Sequence, residues 1–346
     1  MTRPASPAFG LCFDLRNPPQ WRKPPARSMS EALDLVASAE AAGADAVWVT
    51  EHHFFGDGYL AQPLTFLAAA AARTTRVRLG TAVTLAPLQH PRHIAEQAAL
   101  IDLLSDGRME LGLGAGYVPA EFEAFGADIS RRFSTTDQAC REIARLLGGP
   151  QGEELHEDMS LERVQPQVPI WLGYQGVQNA RRAGRLGVGL LSLKAQAYES
   201  YLSGLAEGDS PAPPPRLAGG LDVIVARDPE RAWALLRPHY EHQLVSYLRA
   251  HGQVDAEVSA GALQSRFGSS RPAGLSVTLS VLDPSEAVEA IVAKLAGLPV
   301  HHAFTWASIA GMPSDLCIEH QALFFGEVVP LVRARLAALE NAGVTE

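Results

Sequence analysis

The chain has 346 residues, 47% of which are hydrophobic, and it carries a net charge of −9. This composition suits a large folded core, so disorder is excluded as a description of the whole chain. A net negative charge without a cluster of basic residues argues against nucleic-acid binding. Cys12, Cys140 and Cys317 lie far apart, which excludes a disulfide scaffold and a cysteine-rich zinc site and indicates a reducing compartment.

The sequence carries no signal for membrane insertion or export. No apolar run approaches the roughly 20 residues of a membrane span. Residues 1–13 also lack the basic start and apolar stretch of a signal peptide. We therefore expect a cytoplasmic protein that binds neither a membrane nor nucleic acid.

Short apolar runs alternate with longer stretches of helical spacing along the chain. After Pro91, for example, Ile94, Ala98 and Ile101 recur at the spacing of one helix face. Repeated strand–helix units predict parallel strands with helical crossovers, here an α/β fold of the (β/α)8 TIM barrel type. The eight predicted barrel strands are residues 9–13, 46–49, 77–83, 109–113, 169–172, 188–193, 221–226 and 303–306.

Two further stretches fall outside this eightfold pattern. Residues 275–281 also have strand character, and they are predicted to belong to an excursion after strand seven. Residues 252–274 carry Ser, Gly and Arg without periodicity, and a loop of this length is typical of a functional lid or of a mobile surface loop. We expect a single domain over residues 1–346, with a lid or insertion at 252–274.

A polar cluster, Glu51-His52-His53, directly follows the second predicted strand. The carboxyl ends of barrel strands face the active site, and histidine acts as a general acid or base near neutral pH. Successive side chains point in opposite directions, so only one histidine is expected to face the mouth. Solvated or packing loop residues would also explain the cluster. A metal site with His90 and His93 is disfavoured because the spacing does not match HExxH, so no catalytic metal is expected.

Two glycine-containing stretches also follow predicted strands. Residues 112–117 (GLGAGY) do not match GxGxxG, so a Rossmann site is not indicated. Their glycines would let a flat or anionic ligand approach the backbone, although tight turns alone would also explain them. Residues 176–178 (GVQ) precede and begin a predicted helix, whose free N–H groups would form an anion site.

Four segments of the chain keep a common order and spacing. They are residues 47–54 (VWVTEHHF), 79–83 (LGTAV) with His90-Pro91 after them, 106–112 (DGRMELG) and 121–126 (EFEAFG). In this arrangement they resemble the bacterial luciferase-like flavin-dependent monooxygenase family. The likeness is clearest over residues 9–126 and continues more weakly to Trp306.

The resemblance implies a (β/α)8 barrel with FMN in its mouth. His52 matches the family's active-site histidine, and residues 81–83 match a strand end that packs against the isoalloxazine ring. The family often has a non-prolyl cis peptide there, which is expected between Ala82 and Val83. The implied cofactor-binding residues, including the phosphate loop at 176–178, are Thr81, Ala82, Val83, Gly114, Ala115, Gly116, Tyr117, Gly176, Val177 and Gln178.

The chain departs from luciferase itself at two positions. Where luciferase has a reactive cysteine and an arginine that helps to hold the phosphate, this chain has Gly114 and Ala115. Phosphate binding would therefore depend on backbone N–H groups, with a nearby arginine as a further candidate, and luminescence is not implied. The substrate pocket is expected to be lined by Phe54, Phe55, Tyr59 and Trp306, with Tyr117 beside them, which favours an apolar or aromatic ligand.

The implied activity is monooxygenation with O2 and reduced FMN, which a separate flavin reductase supplies. A homodimer is expected through helices near residues 61–72 and 94–104. One alternative is a deazaflavin-dependent hydride transfer of the same superfamily, which the double histidine and a total of three lysines disfavour. A second is a non-catalytic flavin-binding partner subunit, against which His52 argues, and a third is a metal-dependent barrel hydrolase.

Overall fold

A closed barrel of parallel strands forms the centre of the computed structural model, which describes residues 6–148, 161–208, 211–252 and 279–343. β3 and β4 are two parts of one interrupted strand, and both pair with β5. All strands except β9 and β10 belong to the barrel, which confirms the predicted (β/α)8 fold. The strands are β1 (Ala8–Phe13), β2 (Ala46–Val49), β3 (Arg78–Thr81), β4 (Thr84–Leu85), β5 (Met109–Gly114), β6 (Ile170–Leu172), β7 (Gly189–Leu191), β8 (Leu217–Gly220), β9 (Val223–Val225), β10 (Ser280–Leu282) and β11 (Val300–Trp306).

Helices return the chain between the strands. Six of them have proline as the first residue, where its missing N–H costs no hydrogen bond. None of the helices in the described ranges is both long and apolar enough to cross a membrane. The helices are α1 (Pro25–Ala42), α2 (Pro63–Ala71), α3 (Pro91–Leu104), α4 (Pro119–Ala124), α5 (Arg132–Leu146), α6 (Val177–Arg185), α7 (Ala195–Glu207), α8 (Pro229–Ala250), α9 (Pro284–Leu295), α10 (Ser314–Leu323) and α11 (Val329–Gly343).

The prediction of the seventh barrel strand at residues 221–226 is wrong. The seventh barrel strand is β8, which pairs with β7 and β11. Residues 223–225 instead form β9, which pairs with β10 in a separate two-stranded sheet. The prediction missed β8 because close packing there requires small residues, and a strand of small residues lacks the apolar run by which strands are recognised. An added Cβ at Gly219 would lie 3.0 Å from the Leu193 side chain.

The excursion after strand seven falls only partly within the described residues. β9, α8, β10 and α9 lie between the seventh barrel strand and β11, so the excursion lies where it is predicted. Ser280 and Val281 belong to it, as expected for the stretch 275–281, whose first four residues lie outside the described part. The predicted lid at 252–274 also lies outside the described residues, apart from Gly252.

Two tryptophans fill the barrel interior. The ring centroids of Trp48 in β2 and Trp171 in β6 are 6.4 Å apart, and Phe304 stacks on Trp48 at 5.2 Å. An added Cβ at Gly80 would collide with Trp48, and one at Gly189 would collide with Trp171. The barrel below its mouth is therefore a packed core, which leaves the carboxyl ends of the strands for ligands.

A buried carboxylate, Glu110, lies near the amino end of β5, at the floor of the barrel. It accepts hydrogen bonds from Trp171 Nε1 at 2.6 Å and from Arg78 Nε, and His302 Nε2 lies 3.4 Å away. Burial alone would raise the pKa of Glu110, but His302, Arg78 and Trp171 outweigh it and lower the pKa to about 2. This cluster therefore ties four strands together with a carboxylate that stays ionised at moderately acidic pH.

Candidate active site

His52 lies after the carboxyl end of β2, and both of its ring nitrogens are engaged. Nδ1 is 2.9 Å from Oε1 of Glu121, and Nε2 is 3.0 Å from the Tyr117 hydroxyl. An ionised carboxylate can only accept a hydrogen bond, so Nδ1 carries a proton and donates to Glu121. In the neutral imidazole Nε2 is then the acceptor for the Tyr117 hydroxyl. We refer to these three residues as the Glu121–His52–Tyr117 chain.

Glu121 belongs to the first turn of α4 and is fully buried. Besides His52, its Oε1 atom accepts a hydrogen bond from the backbone N–H of His53 at 2.7 Å. Its Oε2 atom is buried without a hydrogen-bond partner among the described residues. A buried carboxylate oxygen normally has a partner. Oε2 is therefore an acceptor beside His52 whose hydrogen-bonding capacity the described residues leave unused.

Burial also defines the state of the Tyr117 hydroxyl. Burial first, and then the nearby Tyr247 and Glu121, raise the pKa of Tyr117 above its ordinary value. The hydroxyl therefore stays protonated at neutral pH and donates to Nε2 of His52. The preceding residue, Gly116, has a φ of 68°, a left-handed conformation that favours glycine. Tyr117, predicted as a cofactor contact, thus lies against the histidine.

His53 points away from His52 and has a different set of contacts. Its Nε2 atom is 3.0 Å from Oε1 of Glu51, whose other oxygen accepts a hydrogen bond from the Leu85 N–H at 3.1 Å. The His53 ring lies 4.7 Å from the ring of Phe125. The two imidazoles diverge, in agreement with the alternation of side chains along an extended segment. His53 therefore braces β4, whereas His52 carries the contacts that suit acid–base chemistry.

Aromatic rings surround His52. Phe55 and Tyr59, both predicted pocket residues, lie 4.8 and 5.0 Å from its ring, and Tyr247 of α8 lies 6.0 Å away. Tyr247 is missing from the sequence prediction because nothing in its local pattern distinguishes it from other apolar positions on a crossover helix. Only 7% of His52 is exposed. The site is thus an enclosed, largely aromatic environment around His52 and its partner Glu121.

The other two predicted pocket residues lie elsewhere. Phe54 is 68% exposed and has a φ of 62°. Its ring faces Phe125, at 6.4 Å, and not the rings around His52. Trp306 lies at the end of β11, where it is half-buried against the apolar interior of the barrel. The structure therefore brings Phe55 and Tyr59 to His52 but turns Phe54 to the surface.

The peptide bond between Ala82 and Val83 is cis, as the resemblance implies. Both residues are half-buried at the break between β3 and β4. Val83 occupies the space beside Gly114 and Gly173, where an added Cβ would collide with its methyl groups. The absence of side chains at these two glycines therefore leaves room for Val83, at the strand end that is expected to meet the isoalloxazine ring.

Two predicted cofactor contacts serve the barrel itself. The Thr81 hydroxyl donates to the Gly112 carbonyl at 2.7 Å and accepts from the Gly112 N–H at 2.9 Å, which joins β3 to β5. Gly114 makes room for Val83, and Ala115 is buried. At Gly112 and Gly114 the protein's own atoms fill the space that a Cβ would take, so close packing requires these two glycines, and the approach of a ligand to this stretch stays a prediction.

The predicted phosphate loop has an open backbone. α6 begins at Val177 after Gly176, whose φ is 83°, and no side chain caps its first N–H groups. Gly176, Val177 and Gln178 are exposed, and a Cβ at Gly176 would meet nothing within 4 Å. Free N–H groups at a helix start favour an anion. Residues 176–178 thus form an exposed, uncapped helix start, and phosphate binding there stays a prediction.

The arginines of α6 are already paired. Arg182 donates to Asp137 at 2.6 and 3.0 Å, and Tyr174 donates to the same carboxylate at 2.7 Å. Arg181 and Arg185 both pair with Glu207. These ion pairs fix the helix against α5 and α7. Because these three arginines are paired with carboxylates, the backbone N–H groups are the donors that the start of α6 offers to an anion.

A family model described as luciferase-like monooxygenase matches residues 9–302. The chain belongs to the luciferase-like monooxygenase family. Within the described part of this family member, no group of three or more His, Cys, Asp or Glu side chains is placed to hold a metal ion.

The curated relatives of this luciferase-like protein include two kinds of oxidoreductase. It is 38% identical over 125 residues to a 4-hydroxyprotoasukamycin monooxygenase of Streptomyces nodosus subsp. asukaensis, covering 36% of this chain and 34% of the relative. It is 31% identical over 175 residues to a limonene 1,2-monooxygenase of Rhodococcus erythropolis, covering 49% and 45%. It is 32% identical over 194 residues to an F420-dependent glucose-6-phosphate dehydrogenase of Kineococcus radiotolerans, covering 51% and 57%. The matches thus span about a third to just over half of these relatives.

Solved structures share the fold over nearly the whole chain. Monooxygenase RslO1 from Streptomyces bottropensis superposes with a TM-score of 0.71 at 23% identity, covering 93% of this chain and 98% of that one. An F420-dependent secondary alcohol dehydrogenase superposes with a TM-score of 0.66 at 19% identity, covering 94% and 99%. At these identities the luciferase-like barrel is what the structures have in common.

Proposed function

We propose that this protein is a flavin-dependent monooxygenase that uses O2 and reduced FMN, supplied by a separate flavin reductase, to oxygenate a small apolar or aromatic molecule. The observation that carries the proposal is the Glu121–His52–Tyr117 chain at the carboxyl ends of the barrel strands. The monooxygenases among the curated relatives support it. The rings of Phe55 and Tyr59 beside His52 favour the substrate class.

The described residues fit a flavin at both of its ends. The half-buried edge at Ala82 and Val83 offers an apolar surface for a flat ring, and the uncapped start of α6 offers N–H groups for a phosphate. His52 and Glu121 supply polar groups among the aromatic rings. Reduced FMN, when bound, supplies the electrons that let one atom of O2 enter the substrate while the other leaves as water.

The Glu121–His52–Tyr117 chain would hold and transfer protons, and the rings around it would exclude water. Glu121 holds the proton on Nδ1 of His52, so Nε2 is the nitrogen that takes up or releases a proton. The Tyr117 hydroxyl, which stays protonated, donates to Nε2 and keeps the imidazole in a single orientation. The aromatic rings around His52 exclude water, which favours coupling of oxygen use to product formation.

A labelled-oxygen experiment tests this activity. The purified protein would be supplied with reduced FMN and ¹⁸O2 together with a panel of small apolar and aromatic molecules. Monooxygenation predicts a product that has gained one ¹⁸O atom, and His52→Ala should release hydrogen peroxide instead. Coupling in His52→Ala equal to that of the wild type would refute the role of the histidine.

A second candidate is hydride transfer with the deazaflavin F420. The specific observation in its favour is that F420-dependent dehydrogenases are among the relatives, with 32% identity over 194 residues in one case. The same His52 and the same phosphate loop would serve such a cofactor. Reduction of a substrate by reduced F420 without consumption of O2 would support this alternative over the monooxygenase.

We also propose that the protein forms a homodimer through the end of α3. Leu100, Leu103 and Leu104 are 54%, 42% and 55% exposed. Adjacent exposed leucines on one helix are typical of a contact surface. The predicted second helix, α2, contributes less, because most of its apolar side chains are buried in the core.

A further inference from the structure

Arg16 is a buried cation beside the candidate active site. It follows β1 in the chain, and its side chain is fully inaccessible to solvent. The centre of its guanidinium group lies 5.2, 4.5 and 4.6 Å from the ring centroids of Phe55, Tyr59 and Tyr247. A desolvated guanidinium over aromatic faces is strongly attracted to them. The same three rings surround His52, so Arg16 lies directly behind the wall of the site.

Two carboxylates balance this cation. Nη1 of Arg16 donates to Asp57 Oδ2 at 2.7 Å, and Nε lies 3.3 Å from Asp14 Oδ2. Nε and Nη2 have no hydrogen-bond acceptor among the described residues. The rings of Phe55, Tyr59 and Tyr247 lie against the guanidinium group, and planar arginine stacks on rings better than lysine does. Because Arg16 is neutralised and enclosed, it is poorly placed to bind an anionic substrate directly.

The same groups hold the end of α8. Nη1 of Arg16 also donates to the Ser246 hydroxyl, and His242 Nε2 lies 2.9 Å from Asp57 Oδ2. The hydroxyls of Tyr59 and Tyr247 are 3.1 Å apart. Ser246, His242 and Tyr247 all belong to the last three turns of α8. Arg16 therefore joins the segment after β1, the segment after β2 and the end of α8.

The end of α8 is connected to His52 through Tyr117. His251, which follows α8, stacks on Tyr117 with ring centroids 4.3 Å apart and an interplanar angle of 12°. Tyr117 in turn is bonded to Nε2 of His52. A displacement of this end of α8 would remove both Tyr247 and His251 from the surroundings of His52.

We propose that Arg16 is a positioning residue that holds the end of α8 against His52 and so controls access to this histidine. It acts on the histidine through the rings of Phe55, Tyr59 and Tyr247. The enclosure of His52 is a property of the folded chain alone. Its consequence for catalysis, the exclusion of water, rests on the proposed function.

The chemical reactivity of His52 tests this role without any cofactor. Diethyl pyrocarbonate modifies accessible imidazoles, and the rate at His52 can be measured by mass spectrometry of the peptide that contains it. Arg16→Lys keeps the charge but loses the planar contact with the rings. It should raise the modification rate of His52 about tenfold, because the local opening that exposes the histidine becomes easier. The exposed His90 and His93 serve as internal controls whose rates stay constant.

An unchanged rate at His52 in folded Arg16→Lys would overturn the proposal, and so would an equal rise at His52 and His90. If Arg16→Lys does not fold, Ser246→Ala replaces it, since this variant keeps Arg16 and removes its hydrogen bond to α8. It should raise the rate at His52 about two- to threefold, and an unchanged rate would again overturn the proposal. Since the assay contains no flavin, failure of FMN to bind would refute the proposed function while leaving this result intact.

Discussion

The carboxylate of Glu121 lies 2.9 Å from Nδ1 of His52, although 69 positions separate the two residues in the sequence. Glu121 is on α4, after the fourth barrel strand, and His52 follows the second. The barrel brings the two loops together because all strands are parallel and their carboxyl ends share one face. The carboxylate then selects the tautomer of the imidazole, which is the property that makes His52 usable as a proton carrier.

Glu121→Gln should impair the proposed reaction while the fold is retained. The amide keeps the size of the side chain but does not hold the proton on Nδ1 as a carboxylate does. We expect product formation to fall about 10- to 100-fold, the usual effect of losing a group that orients an active residue, with a matching rise in hydrogen peroxide. Glu123→Gln, an exposed neighbour on α4, is the matched control. Wild-type coupling in Glu121→Gln would contradict the role of this carboxylate.

Gly114→Ala should destabilise the protein because its Cβ would collide with Val83. Overpacking of this kind costs about 1–3 kcal/mol in the free energy of unfolding. Val83→Ala in the same chain should recover most of that loss, because it removes the methyl groups that are in the way. Urea unfolding of both single variants and of the double variant measures the coupling. Strictly additive effects would show that Gly114 has another purpose, such as contact with a ligand.

His320 should make stability depend on pH. Burial lowers its pKa to about 4. In the unfolded chain the pKa is about 6.5, so the unfolded state takes up the proton first as pH falls. The contribution of neutral His320 to the free energy of unfolding is therefore fully present above about pH 6.5 and decreases as the pH falls towards 4. At pH 5 the loss from this residue is about 2 kcal/mol.

His320→Asn isolates this contribution, because the Asn oxygen can still accept the hydrogen bond from the Val225 N–H. The difference in unfolding free energy between pH 7.5 and pH 5 should shrink by about 2 kcal/mol in this variant. Glu110 adds little in this range, since it is ionised in the folded protein and, with an ordinary pKa of 4.5, mostly ionised in the unfolded chain above pH 5. His90→Asn, at an exposed position, should behave like the wild type. An undiminished difference in His320→Asn would argue against a neutral buried imidazole.

Leu104→Glu should convert the proposed dimer into a monomer. The leucines at the end of α3 are exposed, and a carboxylate buried in a contact between two copies would be costly. Light scattering after size-exclusion chromatography gives the mass directly. Leu339→Glu, at a comparably exposed leucine of α11, should leave the mass unchanged. A wild-type protein that elutes as a monomer would refute the proposed dimer.

Most of the barrel could be predicted from the sequence because buried parallel strands appear as continuous apolar runs, as at residues 46–49. β8 escaped prediction for the opposite reason. Leu217–Gly220 ends in two glycines, whereas the stronger apolar run at Val223–Val225 belongs to the side sheet. An apolar run in the sequence indicates a buried strand, but it does not indicate which sheet the strand joins.

The candidate site was predictable only in part. His52 stood out because it follows a strand at the end where barrels place their chemistry. Glu121 lies within the segment 121–126 that carries the resemblance, yet its contact with His52 depends on the closure of the barrel. Arg16 and Tyr247 reach the site from distant parts of the chain, and no local pattern marks them. Such tertiary contacts cannot be derived from spacing along a single segment.

The most direct test of the proposed function is an anaerobic titration of the purified protein with reduced FMN and, in parallel, with reduced F420, monitored by tryptophan fluorescence. Reduced riboflavin, which lacks the phosphate, serves as the control for the site at the start of α6. We expect selective binding of reduced FMN, with weaker binding of reduced riboflavin. Selective binding of reduced F420 would contradict the monooxygenase and make hydride transfer the function, and binding of neither would favour a non-catalytic partner subunit.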